Sequence, residues 1–164
     1  MPGPATPALL ALRSAGVSHV VHEYGLDGAR ARAEGRHAYG LEAAAALGVP
    51  SDRIFKTLVA TVDGSLAMAV IPASRELDLK RFAEAVGGRR AIMAEPAAAE
   101  RATGYVVGGI SPLGGRRRLP TVIDQAALTH ATILVSAGRR GLQVELDPSA
   151  LIRLTGASVA TIGR

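Results

Sequence analysis

One lysine stands alone in a row of aliphatic side chains. Residues 54–62 read IFKTLVATV, which predicts a β-strand, and the alternation of side chains puts Lys56 on the same face as Leu58 and Ala60. A lysine in such a row either carries its ammonium out to the surface or points it into a pocket. In a pocket the ammonium could bind a phosphate or carbonyl oxygen, or serve as a base if desolvated. The pattern leaves both alternatives open.

A loop rich in glycine is the second feature that could do chemistry. Residues 105–115 read YVVGGISPLGG, which matches neither of the glycine-rich motifs that bind nucleotide phosphates. Glycine lets the backbone come close to a ligand, and successive N–H groups can form an anion-binding nest or an oxyanion hole. The alternative is an ordinary tight connection. The loop Gly108–Gly115 is therefore a candidate site for a negatively charged oxygen.

The sequence offers no evident protein nucleophile and no metal set. It contains no cysteine and no GxSxG elbow, and Ser111 and Ser136 have no evident His/Asp partner. His19 and His22 fall on opposite faces of a short strand, whereas zinc needs several ligands that converge. We therefore predict neither a metal nor another cofactor. A hydrolase built on this chain would work without a nucleophile of its own.

The chain is basic, with a formal net charge of +5. Such a balance favours a polyanionic partner, and a composition bias is the alternative. Two groups of arginines stand out, namely Arg30, Arg32 and Arg36 in a long predicted loop, and Arg116, Arg117 and Arg118 after the glycine loop. Each group either keeps a loop solvated or holds nucleic-acid phosphates. Aromatic residues make up only 3% of the chain, which argues against a general single-strand binder.

Length and hydropathy predict one domain outside any membrane. The 164 residues fit a single domain, residues 1–164, and 48% of them are hydrophobic, which is enough for a core at this size. No run of 18 apolar residues suggests a membrane span. The start, MPGPATPALLALRSAG, lacks the cationic and apolar regions of a secretory signal. We therefore expect a cytoplasmic protein with no membrane partner.

Turn and cap residues divide the chain into short strands and helices. Helix starts are predicted at Thr6-Pro7 and at Asp78, and a tight hairpin at Asp63-Gly64. The predicted strands are 19–24, 54–62, 65–71, 90–93, 119–124, 132–136, 142–146 and an edge strand at 157–162. The predicted helices are 8–15, 41–47, 78–86, 96–103 and 148–154. Hairpins between strands favour an α+β domain with a mixed, largely antiparallel sheet flanked by helices.

Five strings in the chain together resemble the YbaK family. They are FKTL at 55–58, SRELDLK at 74–80, TGYVVGGISPLG at 103–114, TVID at 121–124 and VSAGRRGL at 135–142. The resemblance runs from Thr6 to about Ile162, and the glycine–proline loop is its most specific part. Members of this family are bacterial Cys-tRNA(Pro) deacylases, related to the editing domain that is inserted in prolyl-tRNA synthetases.

The resemblance implies a fold and a reaction. The fold is a single domain with a mixed, partly barrel-like sheet flanked by helices. The reaction is trans-editing, because prolyl-tRNA synthetase joins cysteine to tRNA(Pro), and binding alone rejects such a near-isostere by only a few kcal/mol. Family members use the thiol of the substrate, which attacks its own ester and releases a cyclic thiolactone. That route agrees with the absence of an evident protein nucleophile.

The resemblance also implies which residues form the site. The family's essential lysine falls on Lys56, and its GxxxP loop, whose N–H groups lie near the aminoacyl carbonyl, falls on Gly108 and Pro112. The candidate catalytic residues are therefore Lys56, Gly108, Gly109, Ile110 and Ser111. The residues expected to bind the aminoacyl group are Tyr24, Tyr39, Thr57, Pro112 and Ser136. The residues expected to bind the acceptor end of the tRNA are Arg36, Arg116, Arg117 and Arg118.

Three departures from the family pattern bear on amino-acid specificity. Tyr39 stands where phenylalanine is common, Ala137 replaces a usual glycine, and the segment 25–37 is longer and more basic than in typical relatives. The alternatives are a sister deacylase with another substrate, such as Ala-tRNA(Pro), and a non-catalytic tRNA-binding or regulatory module. The sequence leaves open the oligomeric state and docking on prolyl-tRNA synthetase.

Overall fold

The structure, a computed structural model, describes residues 4–25 and 38–164. The helices in these residues are α1 (Pro7–Ala15), α2 (Ala38–Leu47), α3 (Leu79–Val86), α4 (Pro96–Thr103) and α5 (Pro148–Thr155), with a 3-10 helix at Gln125–Thr129. The strands are β1 (Val20–Glu23), β2 (Phe55–Val62), β3 (Ser65–Pro72), β4 (Ala91–Met93), β5 (Thr121–Asp124), β6 (Ile133–Arg139), β7 (Leu142–Leu146) and β8 (Ser158–Ala160). None of the helices described is long and apolar enough to cross a membrane.

The described strands form two sheets that meet at β2. One sheet has the order β1-β7-β6 and is antiparallel throughout. The other has the order β4-β2-β3-β5-β8, in which only the β3–β5 and β5–β8 pairs are parallel. A parallel bridge between Ile54 and Leu134 joins the sheets. The predicted α+β class with mixed, largely antiparallel pairing is confirmed, and the partly barrel-like sheet is divided in two.

Side-chain caps start α1 and α3 where the sequence predicts. The Thr6 hydroxyl accepts a hydrogen bond from the N–H of Leu9 at 3.2 Å, and the Asp78 carboxylate accepts one from Arg81 at 3.0 Å. These acceptors satisfy N–H groups that have no partner inside the helix. The cap on α3 fixes the helix that buries Phe82 against the second sheet.

The hairpin of β2 and β3 carries the strand with the lone lysine. Asp63 and Gly64 at its turn both have positive φ, 49° and 86°, as a type I′ turn requires. Both faces of β2 are covered, because Phe55 belongs to the main core and Ala60 to a second cluster under α3. A side chain on either face of β2 therefore meets protein before it meets water.

The predicted start of α2 is wrong by one turn. The helix begins at Ala38 rather than at Leu41 and passes through Gly40, which the sequence placed in a loop. A Cβ on Gly40 would lie 2.9 Å from the Cβ of Ala73. Glycine is thus used here for close packing of the helix against the end of β3, and it does not end the helix.

The predicted end of β6 is also wrong. The strand continues past Ser136 to Arg139, and its register with β7 shifts between these two residues. Gly138 has a φ of 108°, so the chain forms a bulge and then rejoins the ladder. The segment predicted as an open turn, 138–141, is consequently a short hairpin whose tip contains Arg140.

Candidate active site

A cavity of about 380 Å³ lies beside the first half of β2. β4 pairs with β2 only from Ala60 to Val62, and one further hydrogen bond joins the N–H of Ala94 to the carbonyl of Val59 at 3.1 Å. Among the described strands none pairs with this edge of β2 from Phe55 to Leu58, and the cavity lies there. The lining residues are Tyr39, Gly40, Ile54, Phe55, Lys56, Thr57, Leu58, Val59, Glu76, Leu77, Leu79, Met93, Ala94, Pro96, Ala99, Val107, Gly108, Ile110, Ser136 and Gln143.

Lys56 is half-buried on the wall of this cavity, beside Ile54 and Leu58. Within the described residues its ammonium has neither an ion pair nor a hydrogen bond. Burial lowers the pKa of Lys56 below its ordinary 10.5, and the Glu76 carboxylate opposes this shift. Glu76 is 72% exposed and lies 3.7 Å from Arg164, so water and another cation share its charge. Lys56 therefore presents a positive charge that the described residues leave largely uncompensated.

The glycine loop reaches the cavity at Gly108 and Ile110. The N–H of Gly109 donates to the carbonyl of Val106 at 2.8 Å, and Ser111 is fully buried away from the cavity. In the part of the chain that is described, no acceptor lies within hydrogen-bonding distance of the N–H groups of Gly108 and Ile110. Of the four loop residues predicted as catalytic, the structure thus brings two to the cavity, and Gly109 and Ser111 lie behind it.

Close packing requires glycine at two positions of this loop. A Cβ on Gly108 would lie 3.3 Å from the Tyr39 ring, and the φ of 95° at Gly108 would be strained for any other residue. A Cβ on Gly109 would lie 2.6 Å from the Cα of Arg139, which is backbone and cannot rotate away. The loop therefore packs tightly between α2 and the β6–β7 hairpin.

Two buried polar atoms on the cavity wall have no hydrogen-bond partner, namely Thr57 Oγ1 and Gln143 Oε1. Gln143 is only 7% exposed, and an unpaired polar atom at that depth costs about 1–3 kcal/mol. Ser136 pairs with Gln143 across the β6–β7 ladder, and its Oγ accepts from the N–H of Gly138 at 3.3 Å. Both oxygens are closed to solvent, so a ligand in the cavity would reach them only after a shift of the wall.

Tyr24 lies behind the cavity wall and contacts it through Gln143. Burial raises the pKa of the Tyr24 hydroxyl, and a hydrogen bond from the Gln143 side chain lowers it. The amide nitrogen of Gln143 is thereby directed toward Tyr24, and the amide oxygen is buried without a hydrogen-bond partner among the described residues. Sequence reasoning missed Gln143, although a lone amide between the buried Leu142 and Val144 was a usable signal.

Pro112 and two arginines line a separate cavity of about 240 Å³. Arg117 and Arg118 lie on its wall, and Arg118 also packs at the end of α5, while Arg116 packs at the end of α4. The partial negative charge of helix C-termini suits both placements. In residues 4–25 and 38–164, Arg116, Arg117 and Arg118 have no carboxylate within ion-pair distance. They therefore have charge to offer another molecule.

The cavity wall carries donors and acceptors without an activated hydroxyl or thiol. Its charged side chains are Lys56 and Glu76, and within the described residues its hydroxyl groups have no histidine or carboxylate partner. The described residues also contain no group of three His, Asp or Glu side chains that could hold a metal ion. Arg36, expected at the tRNA, lies outside the described residues, as do Arg30 and Arg32.

Several proteins that are similar to this chain in sequence or structure have names that refer to aminoacyl-tRNA or its synthetases. The family model of the aminoacyl-tRNA editing domain matches residues 36–154. EbsC of Enterococcus faecalis, named as a candidate Cys-tRNA(Pro)/Cys-tRNA(Cys) deacylase, is 44% identical over 121 residues, which are 73% of either chain. The proline–tRNA ligase of Acidithiobacillus ferrooxidans is 32% identical over 101 residues, 62% of this chain and 18% of the ligase.

A solved structure shares the whole fold. It is described as a candidate trans-editing enzyme for prolyl-tRNA synthetase, and it superposes with a TM-score of 0.80 at 26% identity. The alignment covers 99% of each of the two chains.

Proposed function

The chain belongs to the aminoacyl-tRNA editing domain family, and we propose that it hydrolyses the ester of mischarged Cys-tRNA(Pro) as a free-standing deacylase. The observation that carries the proposal is a cavity whose donors are unpaired among the described residues and whose wall has no activated hydroxyl or thiol. The Lys56 ammonium and the N–H groups of Gly108 and Ile110 suit an ester oxygen that becomes negative during the reaction. The proposal includes a shift of the wall that brings the buried oxygens of Thr57 and Gln143 within reach of the α-ammonium.

The size of the cavity supports a small substrate group. A volume of about 380 Å³ lies in the lower part of the range for small-molecule sites. It accommodates a cysteinyl group and part of the terminal ribose, and the rest of the tRNA stays on the surface. Most of the affinity for tRNA must then come from contacts outside the cavity.

In the proposed mechanism the substrate supplies the nucleophile. The cysteinyl thiol loses its proton to water, and the thiolate attacks its own ester carbonyl to form a C–S bond and a tetrahedral oxyanion. Lys56 stabilises the thiolate, because a nearby cation lowers the pKa of a thiol, and the N–H groups of Gly108 and Ile110 donate to the oxyanion. The C–O bond to the ribose then breaks, the ribose oxygen takes a proton from water, and a four-membered thiolactone leaves.

Hydrolysis of three esters by wild type and by Lys56→Ala tests this function. Wild type should cleave Cys-tRNA(Pro) and spare both Ala-tRNA(Pro) and the S-methylcysteinyl ester, which has no free thiol. Lys56→Ala should lose the cysteinyl activity while its unfolding transition is retained. Equal cleavage of the alanyl and cysteinyl esters would contradict the thiol route and favour a sister deacylase. No cleavage of any ester would leave only a tRNA-binding module.

The tRNA backbone is proposed to contact Arg116, Arg117 and Arg118. These side chains have no carboxylate partner among the described residues, and they follow the loop that reaches the cavity. Phosphate contacts carry no sequence information, which fits a deacylase that tolerates several tRNAs. In a variant with all three changed to alanine, each lost contact should lower the salt slope of log K by roughly 0.7 to 0.9.

Arg89→Ala/Arg90→Ala is the matched control for this binding experiment. Both arginines are exposed, and their backbone N–H groups donate to Asp63 at the end of β2 that is remote from Lys56. This control should bind tRNA with nearly the wild-type salt slope. If the triple variant also keeps the wild-type affinity and slope, the tRNA lies elsewhere.

We also propose that the protein docks on prolyl-tRNA synthetase and acts in the cytoplasm.

A further inference from the structure

The Tyr39 ring touches both the glycine loop and an arginine. Its ring atoms would lie 3.3 Å from a Cβ on Gly108, so one α-hydrogen of Gly108 points at the ring. The guanidinium carbon of Arg140 lies 4.8 Å from the ring centroid, a distance at which an aromatic face attracts a cation. The ring therefore has two contacts that fix its place on the cavity wall.

Arg140 is itself held by the helix that carries Tyr39. One of its terminal nitrogens donates to both carboxylate oxygens of Glu42, at 3.0 and 2.9 Å. The two side chains are 23% and 11% exposed, so little water competes for this ion pair. Glu42 follows Tyr39 by three residues in α2, which puts both on one face of the helix. Arg140 thus contacts α2 at two side chains, the Glu42 carboxylate and the Tyr39 ring.

The same hairpin also fixes the loop. A Cβ on Gly109 would lie 2.9 Å from the backbone nitrogen of Arg140, so the loop and the hairpin touch backbone to backbone. The backbone of Arg140 therefore positions the loop, and its side chain positions the ring that packs on the loop. A change at this side chain alters the ring without removing the backbone contact.

We propose that Arg140 is a positioning residue, which holds the Tyr39 ring against Gly108 and so sets the width of the aminoacyl cavity. The inference rests on the proposed function, since the width matters only if an aminoacyl ester binds there. By the proposed thiol route every ester without a thiol is spared, so the width matters for esters that carry one, such as the cysteinyl ester and the homocysteinyl ester, which is longer by one methylene. Arg140 contributes to this selection without touching the substrate, because the ring it holds is part of the wall.

The ratio of two hydrolysis rates tests the role in selection. The values of kcat/KM for Cys-tRNA(Pro) and homocysteinyl-tRNA(Pro), which both carry a thiol, are compared in wild type, Arg140→Met, Tyr39→Leu and the double variant. Arg140→Met should lower the cysteinyl-to-homocysteinyl ratio by about 10-fold, the order that a change of pocket size produces. The double variant should fall no further than Tyr39→Leu, because both changes act through the ring. An equal loss on both esters, or additive losses of the ratio, would overturn the proposal.

Two further variants separate positioning from general damage. Arg139→Met changes the neighbouring arginine, which is 57% exposed and 4.0 Å from Glu23, and it should keep the wild-type ratio. Arg140→Met leaves the Glu42 carboxylate unpaired, which could prevent folding. Glu42→Met/Arg140→Met removes both charges at similar volume and should show the same fall in the ratio. A wild-type ratio in this variant would overturn the proposal.

A second measurement does not depend on activity. The α-hydrogen resonances of Gly108 carry a ring-current shift from Tyr39, which Tyr39→Leu removes. Arg140→Met should move these resonances toward their positions in Tyr39→Leu, and Arg139→Met should leave them in place. If wild type cleaves no aminoacyl ester, the proposed function fails, and these resonances still decide the placement of the ring. Unmoved Gly108 resonances in Arg140→Met would overturn the positioning itself.

Discussion

Two cationic side chains three residues apart have opposite surroundings. Arg53 donates to the carbonyl of Thr132 at 3.1 Å and forms an ion pair with Glu145, and the hydroxyl of Thr132 donates to the same carboxylate at 2.6 Å. His22 contacts the other oxygen of Glu145 at 2.9 Å. Lys56, three residues further along the chain in β2, has no such partner among the residues described. Both cations lie at the junction of the two sheets.

The difference separates a cluster that stabilises the fold from a candidate functional site. In the Glu145 cluster each polar group has a partner inside the protein, so its desolvation is offset. At the cavity, Lys56, Thr57 Oγ1 and Gln143 Oε1 have no hydrogen-bond or ion-pair partner among the described residues, which lowers stability. Substitutions in the first region should therefore change stability, and those in the second should change activity.

Lys56→Met should have the largest effect on catalysis and no cost in stability. We expect kcat/KM for Cys-tRNA(Pro) to fall by at least about 100-fold, because a charge at the reacting atoms is lost. The free energy of unfolding should stay equal or rise, because the side chain no longer holds a poorly solvated charge. Arg53→Met should show the reverse, with near-normal activity and a loss of about 1–3 kcal/mol in urea unfolding. Similar effects of both variants on stability would break the comparison.

Gly108→Ala should come next, with a loss on the order of 100-fold in rate. A methyl group would press on the Tyr39 ring and displace the backbone N–H of Gly108, and a positive φ at alanine costs about 1–3 kcal/mol of stability. Gly115→Ala in the same loop is the control, because its Cβ would meet its nearest atom at 3.4 Å and its φ is ordinary. Single-turnover deacylation and urea unfolding measure both effects. Normal turnover in Gly108→Ala would make the loop a mere connection.

Thr57→Val should lower activity by about 10-fold, as the loss of one hydrogen bond of about 1.4 kcal/mol to the substrate predicts. Its stability should not fall, since Thr57 Oγ1 has no partner to lose. Thr132→Val removes a hydroxyl that accepts from Arg53 and donates to Glu145, and it should cost about 1–3 kcal/mol with activity retained. A stability loss in Thr57→Val as large as in Thr132→Val would show that Thr57 is also structural.

The two regions should also differ in their response to pH. Hydrogen bonds from Thr132 and His22 lower the pKa of Glu145 below its ordinary 4.5. Its contribution to stability is therefore present above 4.5 and is lost as the pH falls through the folded-state pKa. Glu145→Gln should remove that part of the acid dependence of the unfolding free energy. An unchanged acid dependence would show that the carboxylate is not favoured by folding.

At the cavity the pKa of Lys56 is also lowered, but there the shift disfavours the charged form of the side chain. Burial lowers the pKa of Lys56, so its ammonium should lose a proton below the ordinary 10.5, and activity that needs the charge should fall there as the pH rises. The folded state binds this proton less tightly than the unfolded state, so stability rises with pH between the two pKa values. The sequence holds two lysines, Lys56 and Lys80, so the lysine Cε resonances give the titration directly. A Lys56 signal that titrates at 10.5 would contradict the desolvated site.

Local chemistry made much of the fold predictable. The caps Thr6 and Asp78 and the turn Asp63-Gly64 act within a few residues, so their spacing alone indicates them. The division into two sheets was not predictable, because the pairing of Val20 with Glu145 spans most of the chain. Such long-range pairings depend on packing that no local pattern records.

The candidate site was predictable where strand alternation or a family string indicated it. Lys56, Thr57, Tyr39 and Ser136 lie on one cavity, while their roles stay predictions. Gln143 was missed because an amide in a strand usually faces water. The path of the loop was not predictable either, because it depends on the hairpin that Gly109 meets.

The burial of Lys56 also affects how the protein reacts with electrophiles. Among the described residues the wall has no serine activated by a histidine or carboxylate, and the sequence has no cysteine, so acylating inhibitors find no activated hydroxyl or thiol there. The lowered pKa of Lys56 leaves more of its amine unprotonated, at a given pH, than in a lysine of ordinary pKa, and the neutral amine is the nucleophilic form. Reagents that form imines with amines would therefore react more readily at Lys56 than at a lysine of ordinary pKa. A covalent label could then be placed inside the cavity with a single aldehyde.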